Sequence, residues 1–170
     1  DHIDSVFGDE EGKIHGYDGH EEIEIGLMRL YRLTQNERYL KLAQYFLLVR
    51  GTECEAMNSK HLPLPYYQAH LPVLKQNTAE GHAVRLVYLC TAMADAAGET
   101  GDGKLLLACR RLWRSIVTRR MYITGGIGST VSGEAFTLDY DLPNDTMYCE
   151  TCASVGLVFF AYRMLSLIHI

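Results

Sequence analysis

The stretch MYITGGIGSTVSGEAFTLDYDLPNDTMYCETC, from Met121 to Cys152, lies between two segments with clear helical periodicity. It has no helical or strand period of its own, apart from a short strand predicted at 121–124. Its glycines allow positive φ angles and close approach of the backbone to other groups. Its carboxylates and thiols can carry chemistry. The rest of the chain therefore reads as a helical scaffold for this stretch.

Apolar residues at helical spacing predict five helices around the stretch. They cover approximately residues 20–35, 36–49, 78–97, 102–119 and 146–167. The short connection between the first two forces them into an antiparallel pair. Residues 1–19 and 51–77 are predicted as loops, and the second contains three of the four prolines. The sequence predicts an all-α fold of helical hairpins joined by long loops.

Composition narrows the function classes. The chain has 170 residues and a formal charge of −5, which suit one domain without a basic surface for nucleic acid or anionic membranes. It has no apolar run long enough to span a bilayer. Five cysteines argue against a disulfide framework and for a reducing compartment such as the cytoplasm, or for thiols kept for chemistry. A first residue other than Met and the apolar tail SLIHI predict a piece of a longer protein.

Two histidines occur in equivalent contexts. Gly19-His20 and Gly81-His82 each precede an apolar helix, 62 residues apart. In a ring of helical hairpins alternate helices begin at the same end, so His20 and His82 would converge on one pocket. Alternatively, each histidine bonds only the backbone at its own helix start.

The thiols near the end of the stretch leave several interpretations open. Cys149 and Cys152 have a zinc or redox spacing, but they supply only half of a tetrahedral site, and two inert helix cysteines fit equally well. Glu150 and Cys152 point to different faces of a regular helix. They could share a metal only at an irregular helix start.

Glu134 follows Gly133 in a loop. It is either a solvated surface carboxylate or a general acid at a pocket wall, with a pKa raised by its surroundings.

Several strings of the sequence, taken together, resemble the β-L-arabinofuranosidases of glycoside hydrolase family 127. The resemblance extends from about His15 to Leu165 and is specific because the strings are long and occur in the family's order. The strings are HLPV (70–73), EGHAVRLVYLCTAMAD (80–95), MYITGGIGS (121–129), GEAF (133–136), DYDLPND (139–145) and YCETCAS (148–154).

The resemblance implies a fold, an activity and site residues. The expected fold is part of an (α/α)₆ toroid, with residues 1–170 forming a fragment of one catalytic domain and the downstream barrel and any β-rich domains absent. The expected activity is retaining hydrolysis of β-L-arabinofuranosides in arabinose-containing oligosaccharides or glycans, with a zinc-bound cysteine as nucleophile. Glu134 in GEAF corresponds to the acid/base, and Glu150 and Cys152 in ETC correspond to two zinc ligands. His82, and less directly His20, correspond to histidines that hold sugar hydroxyls.

The sequence departs from the family pattern at one essential point. The nucleophile and its neighbouring ligand would form an adjacent Cys-Cys pair, which these 170 residues lack. The zinc site is therefore expected to be incomplete, and the isolated chain to be inactive. Cys149 matches no ligand position. Because part of the ring is missing, inward residues such as Val84, Val87 and Val155 are expected to be more exposed than in a closed ring.

Two alternatives of other classes remain at this point. One is a non-catalytic interaction module of helical hairpins. The other is a zinc or redox-regulatory domain that uses Cys149 and Cys152.

Overall fold

A computed structural model describes residues 1–56 and 62–169. Within these ranges helices dominate and the only strands form a two-residue parallel pair, which confirms the predicted all-α class. The helices are α1 (His2–Val6), α2 (Ile23–Thr34), α3 (Glu37–Val49), α4 (Ala83–Thr100), α5 (Gly103–Arg119) and α6 (Thr151–His169). The strands are β1 (Gly16–Tyr17) and β2 (Glu55–Ala56), and 3₁₀ turns occur at Leu64–Tyr67, Val73–Lys75 and Ser132–Glu134.

Helix α4 is the centre of the packing, because α2, α3, α5 and α6 all contact it. Small residues allow the closest of these contacts. A Cβ on Gly156 of α6 would lie 2.4 Å from Cγ2 of Val87 on α4. This contact bears on one expectation: Val84 and Val87 are 5% and 0% exposed rather than opened to solvent, and α6 packs directly against Val87. Val155 is 42% exposed.

Helix starts follow local capping chemistry. Asn36 caps α3 by accepting a hydrogen bond from the N–H of Arg38, the second residue of the helix, and Asp102 caps α5 as predicted. Helix α4 begins at Ala83 rather than near residue 78, with His82 as its cap. It continues through Gly98 and ends where Gly101 takes a φ of 70°. Helix α6 begins at Thr151 rather than near residue 146.

Three further expectations are corrected. Residues 1–19 contain α1 and β1 rather than loop alone. The described part of the 51–77 loop contains β2 and two 3₁₀ turns, and residues 57–61 lie outside the described ranges. Residues 121–124 form no strand, because Met121 makes a single bridge to Ile127 within a tight turn.

The described helices include none that is long and apolar enough to cross a membrane. The five cysteines are all free.

A buried charge cluster fixes the chain before α2. Arg50, at the end of α3, is fully buried and its Nη1 lies 3.0 Å from Oε1 of Glu21. Its Nη2 pairs with Asp18 and lies 3.5 Å from Oε1 of Glu24. Burial, and then the charge of Asp18, raise the pKa of Glu24 to about 8. Residues 18–24 are therefore bound to α3 through one guanidinium.

This cluster makes stability depend on pH. Glu24 in the unfolded chain has its ordinary pKa of 4.5, so between pH 4.5 and pH 8 the folded protein binds a proton that the unfolded chain does not. The stabilisation that comes from protonated Glu24 is complete below pH 4.5 and is lost as the pH rises to about 8. We expect the free energy of unfolding to fall by ~2–4 kcal/mol more across this window in wild type than in E24Q. Urea unfolding at several pH values measures it, and equal losses in both proteins would contradict the expectation.

Candidate active site

A tight turn places Glu134 beside the start of α4. Thr130 and Ala135 exchange backbone hydrogen bonds of 3.2 and 3.1 Å, which close the turn. The N–H of Phe136 donates to the carbonyl of Gly81 at 3.0 Å and attaches the turn to the residue before His82. Glu134 has a φ of 50°, a left-handed conformation that is uncommon for a residue with a side chain and often found at functional sites.

His82 contacts Glu134 directly. Its Nε2 lies 2.8 Å from Oε2 of Glu134, and its Nδ1 accepts the backbone N–H of Arg85 at 3.3 Å. Since Nδ1 is an acceptor, the ring proton is on Nε2 and His82 donates to the carboxylate. Burial lowers the pKa of His82 more than Glu134 raises it, which favours the neutral ring. His82 thus caps its own helix and also serves the site.

Tyr148 joins Glu134 to Glu150. Its hydroxyl donates to Oε1 of Glu134 at 2.9 Å and lies 3.3 Å from Oε2 of Glu150. Its backbone N–H donates to the carbonyl of Ser129 at 3.3 Å, which ties it to the glycine-rich part of the stretch. The hydrogen bond to Glu134 raises the pKa of Tyr148 to about 12, so the hydroxyl stays protonated.

The charge state of Glu134 differs from the one expected. The hydrogen bond from Tyr148, and then the one from His82, lower the pKa of Glu134 below its ordinary value. The expectation of a raised pKa is wrong for the ligand-free protein, because two donors face a side chain that is 40% exposed. Burial, and then the charge of Glu134, raise the pKa of Glu150.

His20 reaches the same region from the loop before α2. Its ring centroid lies 6.3 Å from that of His82 and 6.2 Å from that of Tyr88. Burial lowers the pKa of His20, and the charge of Arg85 lowers it further. The two Gly-His pairs of the sequence therefore lie side by side in the structure.

Glu150 precedes α6 and Cys152 is in its first turn. Burial, and then the charge of Glu22, raise the pKa of Tyr88, and Cys152 and Glu150 contribute further. Cys152 is exposed. Cys149 is placed differently. A Cβ on Gly126 would lie 3.1 Å from its sulfur, so Cys149 packs against the glycine-rich segment.

Among the residues that the structure describes, one group of donors could hold a metal ion. Ligand atoms of His82, Glu134 and Glu150 all lie within 4.8 Å of one another, and Cys152 is not part of this group. The group thus combines Glu150, predicted as a metal ligand, with Glu134, predicted as the acid/base, and His82, predicted to bind the sugar.

Two clefts are lined by aromatic residues that contact the histidines. A cleft of about 550 Å³ is lined by Tyr88, which contacts His20, together with Phe159 and Tyr162 of α6. A second cleft of about 720 Å³ is lined by Tyr66, whose ring lies 5.1 Å from that of His82. Each histidine therefore contacts an aromatic residue that lines a cleft.

Comparison with known proteins decides the family. The model of the β-L-arabinofuranosidase GH127 catalytic domain matches residues 1–168. The chain belongs to glycoside hydrolase family 127. It is 52% identical over 181 residues to a non-reducing end β-L-arabinofuranosidase of Bifidobacterium longum subsp. longum, covering 98% of this chain and 28% of that protein.

Solved structures agree with this assignment. The family 127 chain superposes with a TM-score of 0.92 on a GH127 β-L-arabinofuranosidase from Geobacillus stearothermophilus T6, at 50% identity, covering 98% of this chain and 28% of that one. A second GH127 β-arabinofuranosidase gives a TM-score of 0.90 at 40% identity, covering 98% and 25%. The hairpins are thus those of the family's helical catalytic domain, and the chain spans about a quarter of the length of these relatives.

Two polar residues of the family 127 chain were not predicted as parts of the site. Tyr148 lies within the string YCETCAS, but its partner Glu134 is 14 residues away. Arg85 lies in GHAVR, yet its side chain reaches the loop of His20, more than 60 residues earlier. Both contacts join residues that are far apart in the sequence. A single sequence gives no information about which distant residues come together.

Proposed function

We propose that this chain is part of a retaining β-L-arabinofuranosidase that acts on arabinose-containing oligosaccharides or glycans. One observation carries the proposal: Glu134 lies 2.8 Å from His82, and Tyr148 bridges it to Glu150. A loop carboxylate, a helix-start imidazole and a second carboxylate thus meet at one place. The names of the relatives specify the sugar, and the contacts supply groups that suit its hydrolysis.

Glu134 would act as the acid/base. It would protonate the glycosidic oxygen as the bond to the leaving sugar breaks, and then remove a proton from the incoming water. The ligand-free protein favours its carboxylate form. A bound furanoside would exclude water from Glu134 and draw the Nε2–H of His82 to a sugar hydroxyl, and both changes raise the pKa of a carboxyl group.

His20 and His82 would bind the hydroxyls of the arabinofuranose ring. Both rings favour the neutral form, which can donate from one nitrogen and accept at the other. Their 6.3 Å separation suits two contacts on one five-membered sugar.

The donor types near α6 fit zinc. Glu150 offers a carboxylate and Cys152 a thiol, both of which zinc binds, and together they supply half of a tetrahedral site. When bound, zinc would keep coordinated thiols deprotonated near neutral pH. The other ligands and the nucleophilic cysteine would come from a segment outside these 170 residues, because no Cys-Cys pair occurs within them. A metal held by His82, Glu134 and Glu150 would instead take the carboxylate of Glu134 as a ligand, so that Glu134 could not serve as the acid/base.

Hydrolysis by the full-length protein that contains this chain tests the proposal. We expect release of p-nitrophenol from p-nitrophenyl β-L-arabinofuranoside, with β-arabinose as the first product detected by NMR. The matched α-L-arabinofuranoside should be inert. The isolated 170-residue chain should release none. Hydrolysis of the α isomer alone, or of neither, would contradict the proposal.

A pair of cysteine variants separates the zinc site from the redox alternative. In the full-length protein, we expect C152A to lower zinc affinity by at least about 100-fold, above the 10- to 100-fold effect of outer-shell changes, and C149A to leave it unchanged. Both substitutions remove one thiol from the same segment, and isothermal titration with zinc measures each. Equal losses would favour a site built on Cys149 and Cys152.

The interaction-module alternative lacks support from the site. A module that binds partners through helix surfaces has no need for Glu134, His82 and Glu150 to converge.

A further inference from the structure

His20 has no helix of its own to fix its position. It lies in the loop between β1 and α2, and Arg85 of α4 binds the residues on both sides of it. Nη1 of Arg85 donates to the carbonyl of Gly19 and lies 3.3 Å from Oε2 of Glu21. Glu21 is fully buried and the Arg85 side chain is 11% exposed, so these contacts are shielded from water.

The same guanidinium also packs on the His82 side of the site. It lies 4.9 Å from the ring centroid of Tyr66 and 5.2 Å from that of Tyr67. The ring of Tyr66 in turn contacts the ring of His82 edge-on, at 5.1 Å. Arg85 belongs to the first turn of α4, three residues after His82. It therefore connects the His20 loop, the Tyr66 segment and the helix start that carries His82.

We propose that Arg85 is a positioning residue of the sugar-binding site, which fixes His20 relative to His82 so that both rings contact the same furanose. The inference rests on the proposed function, because it assumes that both histidines bind the sugar. Arginine suits this position because its planar fork can serve two acceptors and stack on aromatic rings, whereas lysine offers one compact charge.

The test uses the full-length protein, with R85A, R85K and the control R111A. Arg111 of α5 likewise donates to two backbone carbonyls, those of Leu74 and Gln76. Unlike Arg85, it makes these contacts away from the candidate site. We expect R85A and R85K to raise KM for p-nitrophenyl β-L-arabinofuranoside at least tenfold, with kcat within about threefold of wild type. Such a split indicates lost binding shared by ground and transition states. Guanidinium ion at millimolar concentration should lower the KM of R85A.

A purely structural role would give a different result. Partial unfolding would lower Tm and apparent kcat in R85A and R111A alike, and would leave KM unchanged. If R85A fails to fold, R85K decides, because it keeps the charge and most of the buried volume. A folded R85K variant with the wild-type KM would overturn this inference and leave the proposed function standing. Absence of turnover by wild type overturns the proposed function, and the inference with it.

Discussion

E134Q in the full-length protein is expected to lower kcat/KM for methyl β-L-arabinofuranoside by about 10²- to 10⁴-fold, the usual contribution of a positioned acid/base. The amide keeps the size of Glu134 and can still bond Tyr148, but it can neither protonate the leaving oxygen nor accept a proton from water. p-Nitrophenol leaves without protonation. The loss in bond cleavage should therefore be much smaller for the nitrophenyl substrate, as single-turnover measurements of nitrophenol release would show.

Glu80 provides a matched control for this substitution. It lies two residues before His82 and its side chain is 42% exposed, against 40% for Glu134. Its carboxylate accepts from the hydroxyl of Thr78 at 2.6 Å. E80Q should stay within about threefold of wild type on both substrates. A loss below tenfold in E134Q, or an equal loss for both leaving groups, would rule out Glu134 as the acid/base.

G81A is expected to destabilise the protein by at least about 3 kcal/mol and to lower kcat/KM more than tenfold. Gly81 has a φ of +72°, and a Cβ there would lie 1.8 Å from the carbonyl oxygen of Pro65. The added methyl group must move either the Pro65–Tyr66 segment or His82. The strained backbone adds a cost of about 1–3 kcal/mol. Since Gly81 also accepts the hydrogen bond of Phe136, the displacement would reach the Glu134 turn.

G101A separates the backbone strain from the clash. Gly101 ends the same helix with a φ of +70°, and no described heavy atom lies within 4 Å of a Cβ placed there. It should lose about 1 kcal/mol with normal activity. Urea unfolding and kinetics of both variants make the comparison. Equal stability losses would show that the Pro65 contact is unimportant.

Much of the fold could be predicted because local signals agree with tertiary packing. Asp102 caps α5 where expected, and the helical periods of α2 and α3 persist to the predicted ends. The predicted helix boundaries are wrong where tertiary packing, rather than the local sequence, sets the end of a helix. Gly98 stays within α4, where a Cβ would lie only 3.3 Å from Cδ2 of Leu167 on α6. The start of α4 shifts to Ala83 because Gly81 must adopt a left-handed angle beneath Pro65.

The site divides in a similar way. Motifs indicated Glu134, His20, His82, Glu150 and Cys152, and the structure brings the first four into one region. The lowered pKa of Glu134 could not be predicted, because it depends on the hydroxyl of Tyr148, which is positioned by Ser129. Contacts of this kind depend on how separate loops fold together.

The most direct test of the account is a crystal structure of the full-length protein with zinc and L-arabinose, using anomalous diffraction at the zinc edge. The account predicts an anomalous peak bonded to Glu150 and Cys152, with zinc–sulfur distances of about 2.3 Å. It also predicts a furanose ring in contact with His20, His82 and Glu134. A zinc ion held by His82, Glu134 and Glu150, with the sugar elsewhere, would contradict it.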